Sequence, residues 1–155
     1  MLAVLVAGGC ALTTAPDGQN IAHLDEAAVR AFAADEQAAW NAHDFDRYYA
    51  RCAPEAVFVS VRWNPDGTIT HETRTREQDR ASAERFFKEH PGHFSESDAI
   101  DRIVIAPDGQ SARIIGHETA RIEGVRDVMR ATTEQKLAIR SGHVLLLSQT
   151  DTQVR

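Results

Sequence analysis

Cysteine is scarce: 155 residues hold two, Cys10 and Cys52. Two thiols cannot build the multi-bridge framework of a small secreted scaffold, and no cysteine pair stands at metal-ligand spacing. No apolar run is long enough to cross a bilayer as a helix. Basic excess is also missing, since 17 Lys and Arg against 23 Asp and Glu leave a net charge of −6. That balance argues against nucleic-acid binding, which needs a basic face to neutralise phosphate. No block of like charge is long enough to mark a disordered tail. A phosphate loop, a dinucleotide fingerprint and a nucleophile–base motif are absent as well, so no cofactor is expected.

What is present suits one soluble domain: 43% hydrophobic and 26% charged residues in a chain long enough for a real core. Residues Met1 to Cys10 form an apolar run ending in Gly8-Gly9-Cys10. This resembles the end of a bacterial lipoprotein signal, with Cys10 taking the lipid. Residues 1–10 then read as a leader remnant and 11–24 as a tether, rich in Pro, Gly and small polar residues. Ala11 after the cysteine, rather than Asp, points to a periplasm-facing outer-membrane lipoprotein. Membrane contact would run through that anchor alone. Cys52, left without a partner, reads as a small buried hydrophobe.

From Asp25 the pattern turns helical, with Ala28, Phe32, Ala39, Trp40 and His43 near helical spacing and acids at the start. Asp44 reads as the N-cap of a second, short helix through Arg51, stopped by Pro54. Ala56 to Trp63 is β-branched and aromatic, hence a strand, and Asn64 to Gly67 turns it into Thr68 to Thr73. Arg76 to His90 is helical again. Four strands follow, over 97–106, 111–122, 127–140 and 143–152, separated by turn signals. Helices followed by strands describe an α+β domain over 25–152.

The stretch Trp40-Asn-Ala-His-Asp-Phe-Asp-Arg-Tyr48, then Tyr49 to Ser60, resembles the opening of the NTF2-like superfamily in its SnoaL-like and DUF4440-like members. The closing Arg140-Ser-Gly-His-Val-Leu-Leu-Leu147 is similar to the family's last hairpin. The resemblance implies a cone: three helices packed on a strongly curved antiparallel sheet of about six strands. It implies little about function, because this fold carries isomerases, hydrolases, cyclases and plain binding modules. Ser60 stands where ketosteroid-isomerase-like members carry an aspartate base, and serine is too weak a base for that proton abstraction.

Strand parity selects the candidate site residues. Ile114, Gly116, Glu118, Ala120 and Ile122 share one face of their strand, while Ile115, His117, Thr119 and Arg121 share the other. If the apolar face looks into the cone, Glu118 is a buried acid with a raised pKa, suited to acid–base work. Tyr48 is its expected polar partner. Trp40, Phe58, Ser60 and Phe86 are expected to bind ligand along the cavity wall. No metal site is expected: His90 and His93 are close in sequence but lack further ligands.

Two readings follow. The preferred one is an envelope-anchored module that binds a small apolar molecule in its cone or self-associates, with a homodimer as partner. The alternative is a SnoaL-like enzyme of isomerase, cyclase or epoxide-hydrolase type using the buried acid. The preference rests on finding no second inward acid. Two convergent acids, or an acid beside a tyrosine hydroxyl, would favour catalysis.

Overall fold

The computed structural model describes residues 21–64, 66–90, 94–123 and 128–154. The expected leader, Cys10, most of the tether and His93 lie outside these residues. Three helices and six strands run in the order α1 (Glu26–Asn41), α2 (Phe45–Ala50), β1 (Cys52–Trp63), β2 (Ile69–Thr75), α3 (Arg76–Glu89), β3 (Phe94–Ile105), β4 (Ser111–Ile122), β5 (Met129–Arg140) and β6 (His143–Gln153).

Each helix begins where a short polar side chain can accept from the free N–H groups of the first turn. Asp25 accepts from Ala28 N–H at 2.7 Å and Asp44 from Arg47 N–H at 3.1 Å. Thr75 and Gln78 cap α3 reciprocally, in a capping box that the sequence reading did not single out. A polar cap thus starts α3 directly from β2.

The strands form one sheet in the order β2-β1-β6-β5-β4-β3. All ladders are antiparallel except β1–β6, which is parallel. A purely antiparallel sheet was expected. The last strand instead returns beside the first, because the hairpin runs of β3 to β6 must close on the free edge of β1. Two strand boundaries also move. Cys52, expected in the second helix, opens β1, and Pro54 lies within that strand. The β1–β6 register breaks between Cys52 and Val57, where a missing N–H is tolerated. β3 starts at Phe94 rather than at 97.

The helices pack on one face, α1 across β3 and α3 on β1. The main core holds Val29 and Phe32 of α1, Tyr49 of α2, Phe58 of β1, Leu137 of β5 and Leu146 of β6. A second cluster, Phe87, Phe94 and Ala120, closes the other end through Trp40 and Phe86. Residues 21–24 join this unit: Ile21 N–H donates to Gly142 O and Leu24 N–H to Gly109 O, both at 2.8 Å. Leu24 itself is buried.

Register breaks between Ile100 and Arg102 and between Lys136 and Leu137 bend the sheet toward the helices. At the first of these the backbones approach closely. A Cβ on Gly116 would lie 2.4 Å from the Ala99 carbonyl oxygen, so only glycine fits without a backbone shift. Gly116→Ala is therefore expected to cost about 1–3 kcal/mol in urea unfolding. An unchanged midpoint would show that the bulge yields freely.

Candidate active site

Between the helices and the concave side of the sheet lies a cavity of about 530 Å³. β4 contributes Ile114, Gly116, Glu118 and Ala120, the face on which Glu118 was placed from parity. His117 points the other way and pairs with Asp101 at 3.1 Å on the exposed side. Tyr48, Trp40, Phe58, Ser60 and Phe86 also line the cavity, so these candidates meet on one surface. His90 does not join them; its ring stacks on Phe86 and its Nδ1 lies 2.9 Å from Phe86 O.

The expectation of a single inward acid is overturned. Among the described residues the cavity is lined by Glu36, Asp79, Glu96, Asp98, Glu118 and Asp151. Asp98 and Glu118 are direct cross-strand partners, and Glu96 lies two residues along the same face of β3. One carboxylate oxygen from each of Glu96, Asp98 and Glu118 lies within 4.8 Å of the other two. Like charges directly opposite on neighbouring strands repel, so the three cannot all ionise freely.

Their environments push them apart. Burial, then the charges of Glu118, Asp98 and Asp151, raises Glu96 to about 9. Burial, then Asp151 and Asp98, raises Glu118 to about 8. Asp98 is more open to solvent through the cavity and reaches only about 6, raised by burial and eased by His117. At neutral pH the trio therefore holds an ionised Asp98 beside protonated Glu118 and Glu96. Two acids whose surroundings separate their pKa values are the usual signature of an acid–base pair.

Glu96 is held by its backbone as well as its side chain. β3 is an edge strand, so its outer N–H and C=O groups need partners from elsewhere. Asn41, at the end of α1, supplies both: its amide accepts from Glu96 N–H at 2.8 Å and donates to Glu96 O at 3.0 Å. The neighbouring Trp40 indole N–H donates to Glu96 Oε2 at 3.1 Å. The Trp40-Asn41 pair thus docks α1 on the sheet and orients the acid.

A second polar line crosses the cavity. Gln135 Nε2 donates to Glu36 Oε2 at 2.7 Å and to Gln149 Oε1 at 3.0 Å. Gln149 Nε2 in turn donates to both oxygens of Asp151, at 3.1 and 3.0 Å. Glu36 is 4% exposed, and burial above all raises it to about 8. Asp151 stands opposite Ser60 on the adjoining strand and is raised by burial to about 6. The tyrosine hydroxyl that holds an acid is Tyr49's, which donates to Asp79 Oδ2 at 2.7 Å, whereas Tyr48 is buried with its own pKa driven up by desolvation. Arg74 Nε meets Asp79 Oδ1 at 3.0 Å, and its Nη2 donates to Ser60 Oγ at 3.1 Å.

Several of these acids left a trace in the sequence. Glu36 follows Phe32 by four residues and precedes Ala39 by three, on the buried stripe of α1. Phe94, Glu96, Asp98 and Ile100 alternate along one face, a parity argument that also places Gln149 and Asp151 on β6. The acids of β3 were hidden because that strand was started three residues late and its faces were not assigned.

Six strands against three helices, with the long strand β6 returning beside β1, superpose on an NTF-2 like protein of unknown function from Shewanella oneidensis. The chain has the NTF2-like fold. That structure superposes with a TM-score of 0.59 at 12% identity, over 80% of this chain and 95% of the other. The beta subunit of the benzoate 1,2-dioxygenase from Burkholderia mallei gives 0.64 at 15% identity, over 84% and 91%. ActVI-ORFA from Streptomyces coelicolor gives 0.55 at 20%, over 81% and 93%. No family model and no curated protein matches the sequence. At these identities the NTF2-like neighbours establish the fold and leave the chemistry to the site.

Proposed function

We propose that this chain is an acid–base catalyst of the SnoaL-like kind, acting on a small molecule held against the aromatic wall of the cavity. The observation that carries the reading is the direct cross-strand pairing of Asp98 with Glu118, Glu96 adjoining both. Asp98, ionised at neutral pH, takes a proton from a carbon beside a carbonyl or similar group. Glu118, protonated at neutral pH, gives one to the oxygen on which negative charge develops. Asp98 then returns its proton to a different carbon of the enol and Glu118 takes back the hydroxyl proton, which leaves an isomerised product and restores both carboxyls. Trp40, Phe58 and Phe86 supply apolar contact and exclude water, which strengthens the electrostatics inside. Ser60 takes no proton in this scheme; it accepts a hydrogen bond from Arg74.

The test is deuterium exchange. Cyclic ketones sized to the cavity, with and without an amino group, are incubated with the protein in D₂O and followed by NMR. The wild type should catalyse exchange at carbon with a bell-shaped pH profile bounded near 6 and 8, the values of Asp98 and Glu118. Asp98→Asn and Glu118→Gln should each lower the rate about a hundredfold with the fold retained. Variants as active as the wild type, or a wild type that binds the ketones without exchanging them, would sink the reading.

A further inference from the structure

The cavity holds more acid than proton transfer requires. Glu96, Asp98 and Glu118 form one patch, and a further acid, Asp151, adds its charge to that of Asp98 on Glu118. Among the described residues three arginines also line the cavity, Arg62, Arg74 and Arg130. Arg74 is engaged with Asp79, Glu72 and Ser60, while Arg62 and Arg130 sit at exposed positions. From α1 Glu36 reaches the same cavity, and its Oε1 is buried without a hydrogen-bond partner. A buried polar atom left unpaired is costly unless something that enters the site pairs with it. Beside the acids lie rings: Trp40 donates to Glu96, Phe94 is two residues before it on the same strand face, and Phe86 packs on Phe94 at 6.1 Å between centroids.

We infer that the molecule taken by this cavity carries a positively charged nitrogen on an apolar body, a small organic ammonium compound. The inference rests on the reading of the cavity as a substrate site and specifies its substrate class. Carboxylates neutralise the charge, and aromatic faces attract the same cation through their quadrupoles. A neutral ligand would leave the ionised Asp98 desolvated without a counter-charge, and an anion would be repelled. A bare divalent ion could use the three carboxylates, but would leave most of a 530 Å³ ring-lined cavity unfilled.

Binding must then be linked to protons. An ammonium group favours the ionised form of the acid it meets, so Glu96, protonated at neutral pH and set beside the rings, releases its proton on binding while Glu118 keeps the one it donates. Facing Glu96 are Glu118 from β4, Asp98 from its own strand and Asp151 from β6, whose charges raise it, and the Trp40 indole of α1, whose hydrogen bond lowers it.

The probe is benzyltrimethylammonium, whose charge does not titrate. Its neutral carbon isostere neopentylbenzene, the anion phenylacetate and MnCl₂ alone serve as comparisons. Isothermal titration calorimetry of the full chain from pH 6 to 9, in two buffers of different ionisation enthalpy, reads affinity and proton release. The ammonium is expected to bind at least tenfold tighter than neopentylbenzene, and phenylacetate not at all. Its affinity should rise by up to about tenfold per pH unit below the Glu96 value of about 9, with a proton released. In Glu96→Gln the slope should fall, while in Phe86→Leu affinity should fall and the slope persist. Equal binding of neopentylbenzene, a flat pH dependence, or Mn²⁺ binding without ammonium binding would each overturn the inference. Exchange of neutral ketones without ammonium preference would overturn it and leave the acid–base reading standing. Ammonium binding without any carbon exchange would do the reverse.

Discussion

Urea unfolding measured from about pH 5 to about pH 9 is expected to show stability falling as the pH rises. Most proteins with salt-bridged carboxylates behave in the opposite way. The sign follows from the direction of the shifts. Glutamates in the unfolded chain titrate near 4.5, whereas Glu36 and Glu118 titrate at about 8 and Glu96 at about 9 in the folded chain. Between those values the folded chain holds more protons than the unfolded one, so raising the pH favours unfolding. Below the unfolded value both states are protonated and these groups contribute no slope; above about 9 the loss is complete. Glu36, closed to solvent, sets a loss on the order of 4 kcal/mol, at about 1.4 kcal/mol per pKa unit. Glu96 and Glu118 add less, because they reach water and titrate as a coupled cluster. Glu36→Gln keeps an acceptor for Gln135 and removes the titration, so it should flatten most of the curve. A wild-type stability that is level or rising over this range would rule out the raised acids.

The elements of the fold were legible because each has a local cause. Asp25 and Asp44 cap the helices they precede, and the turns at Asn64–Gly67 and Pro107–Gly109 separate the strands. The cavity-facing side of Glu118 is legible because β4 is free of bulges along its length with β5, so the two-residue alternation survives from Ala112 to Ala120. Long-range features were not legible. The parallel pairing of β1 with β6 joins segments far apart in the chain, Phe58 with Gln149 for example, and no local pattern encodes it. The acid cluster depends on register: Asp98 meets Glu118 only because the β3–β4 ladder pairs them, and the nearby bulge at Ile100–Arg102 is invisible in the sequence. Glu36 was legible in principle. A charged residue on the buried stripe of an amphipathic helix contradicts its surroundings, and such local contradictions concentrate at functional sites.

The same reasoning separates an acid held for structure from those held for chemistry. Asp79 has partners on both oxygens, Tyr49 on one and Arg74 on the other. Its side chain is 13% exposed and that of Arg74 16%, so the pair sits largely out of water. Burial raises the Asp79 pKa, and the Tyr49 hydrogen bond and the Arg74 charge pull it back. Arg74→Met removes that charge and leaves the acid uncompensated. The expected cost is about 3–5 kcal/mol near neutral pH, the range for breaking one side of a buried pair. At pH 5 the cost should be smaller, because Asp79 can then take a proton instead of remaining a buried charge. The double variant Arg74→Met/Asp79→Leu should recover most of the loss, since apolar groups of similar size replace both partners. Urea unfolding of the wild type, the single variant and the double variant at the two pH values checks this. A single variant within about 1 kcal/mol of the wild type, or a double variant no more stable than the single, would mean that Arg74 does not hold Asp79. If the pattern is found, Arg74 is committed to the frame that joins β2 to α3, and the acids of β3, β4 and β6 face the cavity without its charge.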